Sequence, residues 1–185
     1  MPADARQRLL GELRAHALVI GEVVLTSGAT AQYLVDAKRA ILRRPGFAAL
    51  SELVAHQAAA WSATAVGGMT MGADPIACAA LSGGADVKAF FVRKEAKTHG
   101  LARRIEGPLL GEDERCMLVE DVVTTGGSTI KALEAVRAEG HEICGVLVIC
   151  DRLAGGAEAI AEAAGAPFVA LTTIDEVYPD RPDRA

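Results

Sequence analysis

The sequence predicts a single α/β domain, residues 1–185, built on a mostly parallel sheet with helices on both faces. From about residue 63 onward, short apolar runs typical of strands alternate with segments of helical periodicity. A chain of 185 residues suits one domain, and 51% of its residues are hydrophobic, so a sizeable core can form. Only 4% are aromatic, and alanine and glycine supply much of the apolar content, which suits close packing of helices on a sheet.

The N-terminal part, residues 1–40, predicts a helix followed by a small hairpin. Leu9, Leu10 and Leu13 recur at helical spacing and indicate an amphipathic helix over 4–17. Two apolar runs on either side of a turn containing Ser-Gly predict short strands. These strands span 19–26 and 32–36.

The rest of the chain predicts four more helices and five more strands. Pro45 suits the first turn of a helix, and Gly140 suits the end of another. The predicted helices span 46–62, 74–81, 128–139 and 156–164. The predicted strands span 63–67, 87–92, 115–120, 142–150 and 167–172. Residues 93–112 are polar and aperiodic, which predicts a long mobile loop. Residues 178–185 predict a flexible tail, too polar and too rich in proline to pack.

Composition disfavours several classes of protein. The net charge of −5 disfavours a broad nucleic-acid interface, which needs a basic face. The cysteines form no Cys-x-x-Cys pair and have no histidine cluster beside them, which favours reduced thiols over zinc or disulfides. The apolar runs are too short to span a bilayer, and the first residues lack the apolar stretch of a signal peptide. We therefore expect a soluble cytoplasmic protein without nucleic-acid or membrane partners. The four cysteines are Cys78, Cys116, Cys144 and Cys150.

The most informative stretch, residues 118–129, reads Leu-Val-Glu-Asp-Val-Val-Thr-Thr-Gly-Gly-Ser-Thr. An apolar strand ends in the pair Glu120 and Asp121, which can accept hydrogen bonds from sugar hydroxyls or lie near a metal-bound polyphosphate. A loop of hydroxyls and glycines follows, and its backbone N–H groups can close on an anion beside the positive end of a helix. The alternative is an ordinary strand–turn–helix corner with surface acids. A P-loop is excluded because no Gly-Lys-Ser/Thr is present, and Lys131 lies on the outer face of the helix.

Other unusual segments also follow predicted strands. Residues 67–75 contain Gly-Gly and Gly-Ala-Asp-Pro, residues 93–100 read Arg-Lys-Glu-Ala-Lys-Thr-His-Gly, and Asp151-Arg152 ends a later strand. Ligands bind beyond the carboxyl ends of the strands in sheets of this class, so all these segments should face one crevice. Cations on a mobile loop could close over a polyanion and stabilise a departing diphosphate. A solvated basic loop is the plainer alternative.

The stretch 118–129 resembles the 5-phosphoribosyl 1-diphosphate (PRPP) motif of type I phosphoribosyltransferases. Residues 93–100 resemble the catalytic loop of the orotate phosphoribosyltransferases within that family. Residues 25–36, with Ser-Gly-x-x-x-x-Tyr, resemble the family's N-terminal hood over the base. The resemblance covers residues 20–172, and the Gly-Ala-Asp-Pro loop is similar to an actinobacterial-type subgroup.

The resemblance implies transfer of ribose 5-phosphate from PRPP to orotate, giving orotidine 5′-phosphate and pyrophosphate in pyrimidine (UMP) biosynthesis. It implies catalytic roles for Lys97 and Asp121, and orotate binding by Thr124 and Arg152. Mg²⁺ would be held mainly through PRPP, with no direct protein ligand. The family is typically a homodimer whose loop covers the neighbouring subunit's site. The residues implied to bind PRPP are Arg93, Lys94, Lys97, His99, Glu120, Asp121, Val122, Val123, Thr124, Thr125, Gly126, Gly127 and Ser128.

Several alternatives stay open at the level of sequence. The acidic stretch alone does not separate orotate from a purine or uracil as the accepting base. A regulator that keeps the fold and binds nucleic acid is a further alternative, disfavoured by the acidic charge balance. Arg152 could instead form a surface ion pair with Asp151. Thr26 and Met71 stand where many family members have lysines, so two cations that would approach PRPP are absent.

Overall fold

The computed structural model describes residues 1–24, 30–95 and 104–184. The strands of its larger sheet are β3 (Ala65–Met69), β4 (Lys88–Val92), β5 (Ile105–Glu106), β6 (Arg115–Val123), β7 (Glu142–Asp151) and β8 (Phe168–Thr173). They lie in the order β5-β4-β3-β6-β7-β8. Neighbouring strands are parallel, except that β5 runs antiparallel to β4. The predicted mostly parallel sheet is therefore confirmed.

A separate two-stranded antiparallel sheet forms the N-terminal hairpin. Its strands are β1 (Leu18–Val24) and β2 (Thr30–Val35). The pairing begins at Leu18 and Val35 and shifts register between Ile20 and Val23. Both strands were predicted close to these positions. The turn between them, residues 25–29 with the predicted Ser-Gly, lies outside the described residues.

Helices cover both faces of the larger sheet. Val66, Met117 and Leu147 belong to the core that also contains the apolar faces of the helices before β4. Phe90 and Leu118 belong to a second core, shared with the two helices that follow β6 and β7. Successive strand residues point to opposite faces, so burial of both faces accounts for the uninterrupted apolar runs. The helices are α1 (Ala3–His16), α2 (Lys38–Ile41), α3 (Arg44–Ala60), α4 (Asp74–Ser82), α5 (Gly127–Ala138), α6 (Gly156–Ala164) and α7 (Ile174–Val177).

Three elements differ from the predictions. The short helices α2 and α7 were not predicted, because four residues give no readable periodicity. The predicted loop 93–112 contains β5, which pairs with Phe91 and Val92 of β4. Strand β6 continues past Glu120, because the residues up to Val123 pair in parallel with β7. The acidic pair therefore lies within the strand rather than at its end.

The prediction that residues 178–185 do not pack is wrong for several of them. Tyr178 packs edge-on against Tyr33, with ring centroids 5.2 Å apart. Arg181 forms an ion pair with Asp175 of α7, and Asp183 accepts a hydrogen bond from Tyr33. Charge pairing and one aromatic contact hold a segment that has little apolar surface. The flexibility predicted for this tail stays a prediction.

The four cysteines are free thiols, and three of them are buried in strands. Burial raises the pKa of Cys116 and of Cys150 to about 12, so both thiols stay protonated. Cys78 lies exposed on α4. Within the described ranges, no helix combines the length and the apolar character needed to cross a membrane.

Candidate functional site

Two adjoining cavities lie at the carboxyl ends of the parallel strands. The first, of about 290 Å³, brings together the segment after β3, the start of the basic loop after β4, and the acidic pair of β6. The second, of about 550 Å³, lies between strand β2, the loop after β6 and Arg152 after β7. Ser128 lines both cavities. The structure therefore brings the predicted segments to one edge of the sheet.

The acidic pair lines the first cavity, with Glu120 buried and bonded to the start of α5 and Asp121 partly exposed. Glu120 is only 5% exposed and accepts hydrogen bonds from Ser128 Oγ at 2.8 Å and Thr129 Oγ1 at 3.3 Å. Burial, together with the charge of Asp121, raises the pKa of Glu120 to about 7, although the Ser128 hydrogen bond opposes this. Asp121 Oδ1 accepts a hydrogen bond from the backbone N–H of Val122 at 2.8 Å. The site therefore holds one carboxylate that is readily protonated close to neutral pH.

Residues 122–128 are called the phosphate loop from here on. They lead into the start of helix α5, which has no side-chain cap in the described part of the chain. Gly126 has φ +80 and precedes α5, in a left-handed conformation that favours glycine. A Cβ at Gly126 would also lie 2.8 Å from the side chain of Ile160 on α6. Among the described residues, no side chain caps the start of α5. The first N–H groups of the helix can therefore donate to an anion in the second cavity.

Only part of the predicted basic loop is described. Lys94 lines the first cavity, whereas Arg93 pairs with Glu106 of β5 at 3.4 Å. Arg104 donates hydrogen bonds to the backbone carbonyls of Arg93 and Lys94 at 3.0 to 3.2 Å, which joins the two ends of the loop. Lys97 and His99 lie outside the described residues, so their roles stay predictions.

Lys38 is a cation of the first cavity that the sequence reasoning missed. Its Nζ lies 3.0 Å from Asp121 Oδ2 and 2.9 Å from Asp36 Oδ1. Burial alone would lower the pKa of Lys38, but the contacts with these two carboxylates raise it, so the ammonium group stays charged. The spacing Asp-x-Lys at the end of a predicted strand is the only local signal for this contact. It is weak without knowledge that this lysine approaches β6.

The second cavity has Arg152 on one side and the phosphate loop on the other. Arg152 donates from Nη2 to Tyr33 Oη at 3.0 Å, and its guanidinium lies 5.1 Å from the centre of the Tyr33 ring. The alternative pairing with Asp151 is not observed, because Asp151 is buried and accepts a hydrogen bond from the backbone N–H of Leu153. Thr124 lines the same cavity as Arg152. The two residues predicted to bind the base are therefore brought together.

The described residues include no group of three or more histidine, cysteine or acidic side chains that could hold a metal ion. The first cavity nevertheless has Glu120 and Asp121 next to Lys38 and Lys94. Two carboxylates do not complete a magnesium shell, which usually keeps several water or phosphate oxygens. This donor set fits a metal ion that arrives on a polyphosphate ligand.

An uncapped helix start beside an acidic pair and two lysines, on this sheet and hairpin, is the arrangement of a phosphoribosyltransferase of type I fold. The family model "Phosphoribosyl transferase domain" matches residues 48–164. An orotate phosphoribosyltransferase from Corynebacterium glutamicum is 43% identical over 176 residues, which cover 95% of each chain. The chain belongs to the orotate phosphoribosyltransferase family.

Two further relatives show the same similarity. The orotate phosphoribosyltransferase of Streptomyces avermitilis is 44% identical over 169 residues, covering 89% of this chain and 92% of that protein. The crystal structure of Mycobacterium tuberculosis H37Rv orotate phosphoribosyltransferase in complex with PRPP is similar, with a TM-score of 0.79 and 35% identity. That comparison covers 94% of this chain and 98% of the other.

Proposed function

We propose that this protein transfers the ribose 5-phosphate group of PRPP to orotate, giving orotidine 5′-phosphate and pyrophosphate in UMP biosynthesis. One observation carries the proposal. The uncapped start of α5, the acidic pair and Arg152 surround two cavities that share Ser128. A phosphosugar needs an anion site, hydroxyl acceptors and an adjoining base pocket, and these features supply all three.

The phosphate loop is assigned to the 5-phosphate and the acidic pair to the ribose. The N–H groups of Thr125, Gly126 and Gly127 offer donors to a phosphate at the helix start. Asp121 would accept hydrogen bonds from the ribose hydroxyls. Its negative charge would also stabilise the electron-poor sugar that forms as the bond from C1 to the diphosphate breaks.

The first cavity is assigned to the diphosphate. Lys94 lies there, and the resemblance places Arg93, Lys97 and His99 on the same leaving group. Lys38 supplies a further cation, which we assign to the diphosphate end of PRPP, in the cavity that Met71 also lines. Mg²⁺ bound to the diphosphate oxygens would neutralise part of their charge. Lys97 would stabilise the charge that develops on the departing pyrophosphate.

The second cavity is assigned to orotate. Arg152 is a forked donor suited to the orotate carboxylate, and Thr124 can present its hydroxyl or backbone to the ring. Orotate N1 forms a bond to C1 of the ribose and loses its proton to solvent, while the bond from C1 to the diphosphate oxygen breaks and pyrophosphate leaves. No covalent enzyme intermediate is required.

The proposed quaternary structure rests on the family resemblance, and the proposed cellular location rests on the free thiols. We expect a homodimer whose catalytic loop covers the partner's site, as the family resemblance implies, and light scattering after gel filtration tests this. A cytoplasmic location is supported by the four free thiols. The acidic net charge supports the absence of a nucleic-acid partner.

A base panel tests the proposed function. The purified protein is mixed with PRPP, Mg²⁺ and either orotate, uracil, adenine or hypoxanthine, and pyrophosphate release is measured. We expect release with orotate, lost when EDTA removes the metal. Release with another base but not with orotate would refute the assignment. Release with none of the four would refute the transferase activity itself.

A further inference from the structure

The C-terminal segment reaches the base site from outside the second cavity. After α7, Tyr178 packs edge-on against the Tyr33 ring at an interplanar angle of 85°. Arg181 is only 13% exposed, because it pairs with Asp175 of α7 and with Asp183, 3.1 Å from its Nε. These contacts hold Asp183 beside strand β2, although 150 residues separate it from Tyr33.

A continuous chain of hydrogen bonds connects Asp183 to Arg152. Tyr33 Oη donates to the Asp183 carboxylate, with oxygen separations of 2.9 and 3.0 Å, and accepts from Arg152 Nη2 at 3.0 Å. The carboxylate itself lies 4.0 Å from Arg152 Nη2. Burial raises the pKa of Tyr33, so its hydroxyl keeps the proton that it donates to Asp183. Arg152 therefore donates to Tyr33, and Tyr33 donates to Asp183, in one direction along the chain.

Tyr33 and Asp183 contact Arg152 on the side of its guanidinium that faces away from the second cavity. Arg152 lines the second cavity together with Leu34 and Val35, whereas neither Tyr33 nor Asp183 lines it. Arginine has five N–H donors, and the bond to Tyr33 uses one of them. The other donors are available to a planar anion in the cavity. A carboxylate behind the guanidinium also limits the orientations that the side chain can adopt.

We propose that Asp183 and Tyr33 are positioning residues that orient Arg152 for the carboxylate of the base. The inference rests on the proposed function, which assigns Arg152 to orotate. It extends the base site to a C-terminal segment outside the matched domain region, 48–164. The alternative role for Asp183, as a stand-in for the orotate carboxylate, predicts the opposite effect on binding.

Steady-state kinetics of Asp183→Asn and Tyr33→Phe, with orotate and PRPP varied separately, test the proposal. Tyr33→Phe removes both hydrogen bonds of the chain, whereas Asp183→Asn removes the negative charge at its end. We expect the KM for orotate to rise about 3- to 10-fold in each variant. The KM for PRPP should change less than about twofold, since the phosphate loop is untouched. The double variant should resemble Tyr33→Phe alone, because both residues act through one chain.

Asp180→Asn is the matched control. It makes the same charge change in the same segment, at an exposed residue without a described partner, and should leave both KM values unchanged. Tyr33→Phe keeps the ring that packs on Tyr178, and thermal unfolding checks that the variants fold. An unchanged KM for orotate would overturn the proposal, and a lower KM in Asp183→Asn would identify Asp183 as the stand-in carboxylate instead. If the unmodified protein converts no orotate, the proposed function fails first, which is a separate result.

Discussion

Replacing Glu120 by glutamine should stabilise the protein at neutral pH but not in mild acid. Burial beside Asp121 raises the pKa of Glu120 from 4.5 to about 7. The folded protein therefore holds this proton more tightly than the unfolded chain. Stability from this group is fully present below pH 4.5 and is lost as the pH rises toward 7.

The size of the effect follows from the same values. A difference of about 2.5 pH units corresponds to about 3 kcal/mol, at about 1.4 kcal/mol per unit. Glu120 is 5% exposed, so solvent screening reduces this value little. Glutamine has the same shape and can still accept the hydrogen bond from Ser128. The variant should therefore match the unmodified protein near pH 4.5 and exceed it by up to about 3 kcal/mol at pH 8.

Urea unfolding of both proteins between pH 4.5 and 8 measures this difference. Glu134→Gln, at an exposed position of α5, serves as the control and should change the free energy of unfolding by less than about 0.5 kcal/mol throughout. A constant difference between Glu120→Gln and the unmodified protein across this pH range would refute the reasoning. So would a loss of stability in the variant at pH 8.

Three further predictions concern PRPP binding and turnover. Lys38→Ala should weaken PRPP binding by about tenfold in calorimetric titration, because the diphosphate loses one of its assigned cations. Lys131→Ala, on the outer face of α5, should leave the affinity unchanged. Equal affinities of Lys38→Ala and the unmodified protein would contradict the role of Lys38. Gly72→Ala should weaken PRPP binding and lower stability by about 1–3 kcal/mol, because the added Cβ would lie 2.5 Å from Asp121 Oδ1 and would displace that carboxylate. Gly11→Ala meets no atom within 4 Å and is its control in thermal unfolding. Lys97→Ala should reduce turnover far more than PRPP affinity, and unchanged turnover would remove Lys97 from the mechanism.

The phosphate loop and the acidic pair could be predicted from sequence because their signal is local. Carboxylates, hydroxyls and glycines follow one another within residues 118–129, and the sheet places that stretch at a strand end. The same holds for Arg152 directly after β7. Parallel strands place all such segments on one edge, so their meeting follows from topology alone.

Residues that meet through tertiary contacts could not be predicted in this way. Lys38 reaches Asp121 across 83 positions of the chain, and no local pattern reports that approach. The two residues of β5 are a strand only because β4 offers them an edge. Composition suggested that the tail could not pack, but Arg181 and Asp183 are held by paired charges rather than by apolar burial.

The unequal exposure of the thiols has a practical consequence. Cys116 and Cys150 have pKa values of about 12 and are buried, so a maleimide dye should leave them unmodified. Cys78 is exposed on α4, the helix that directly follows the segment lining the first cavity. One fluorophore can therefore be attached there without mutagenesis.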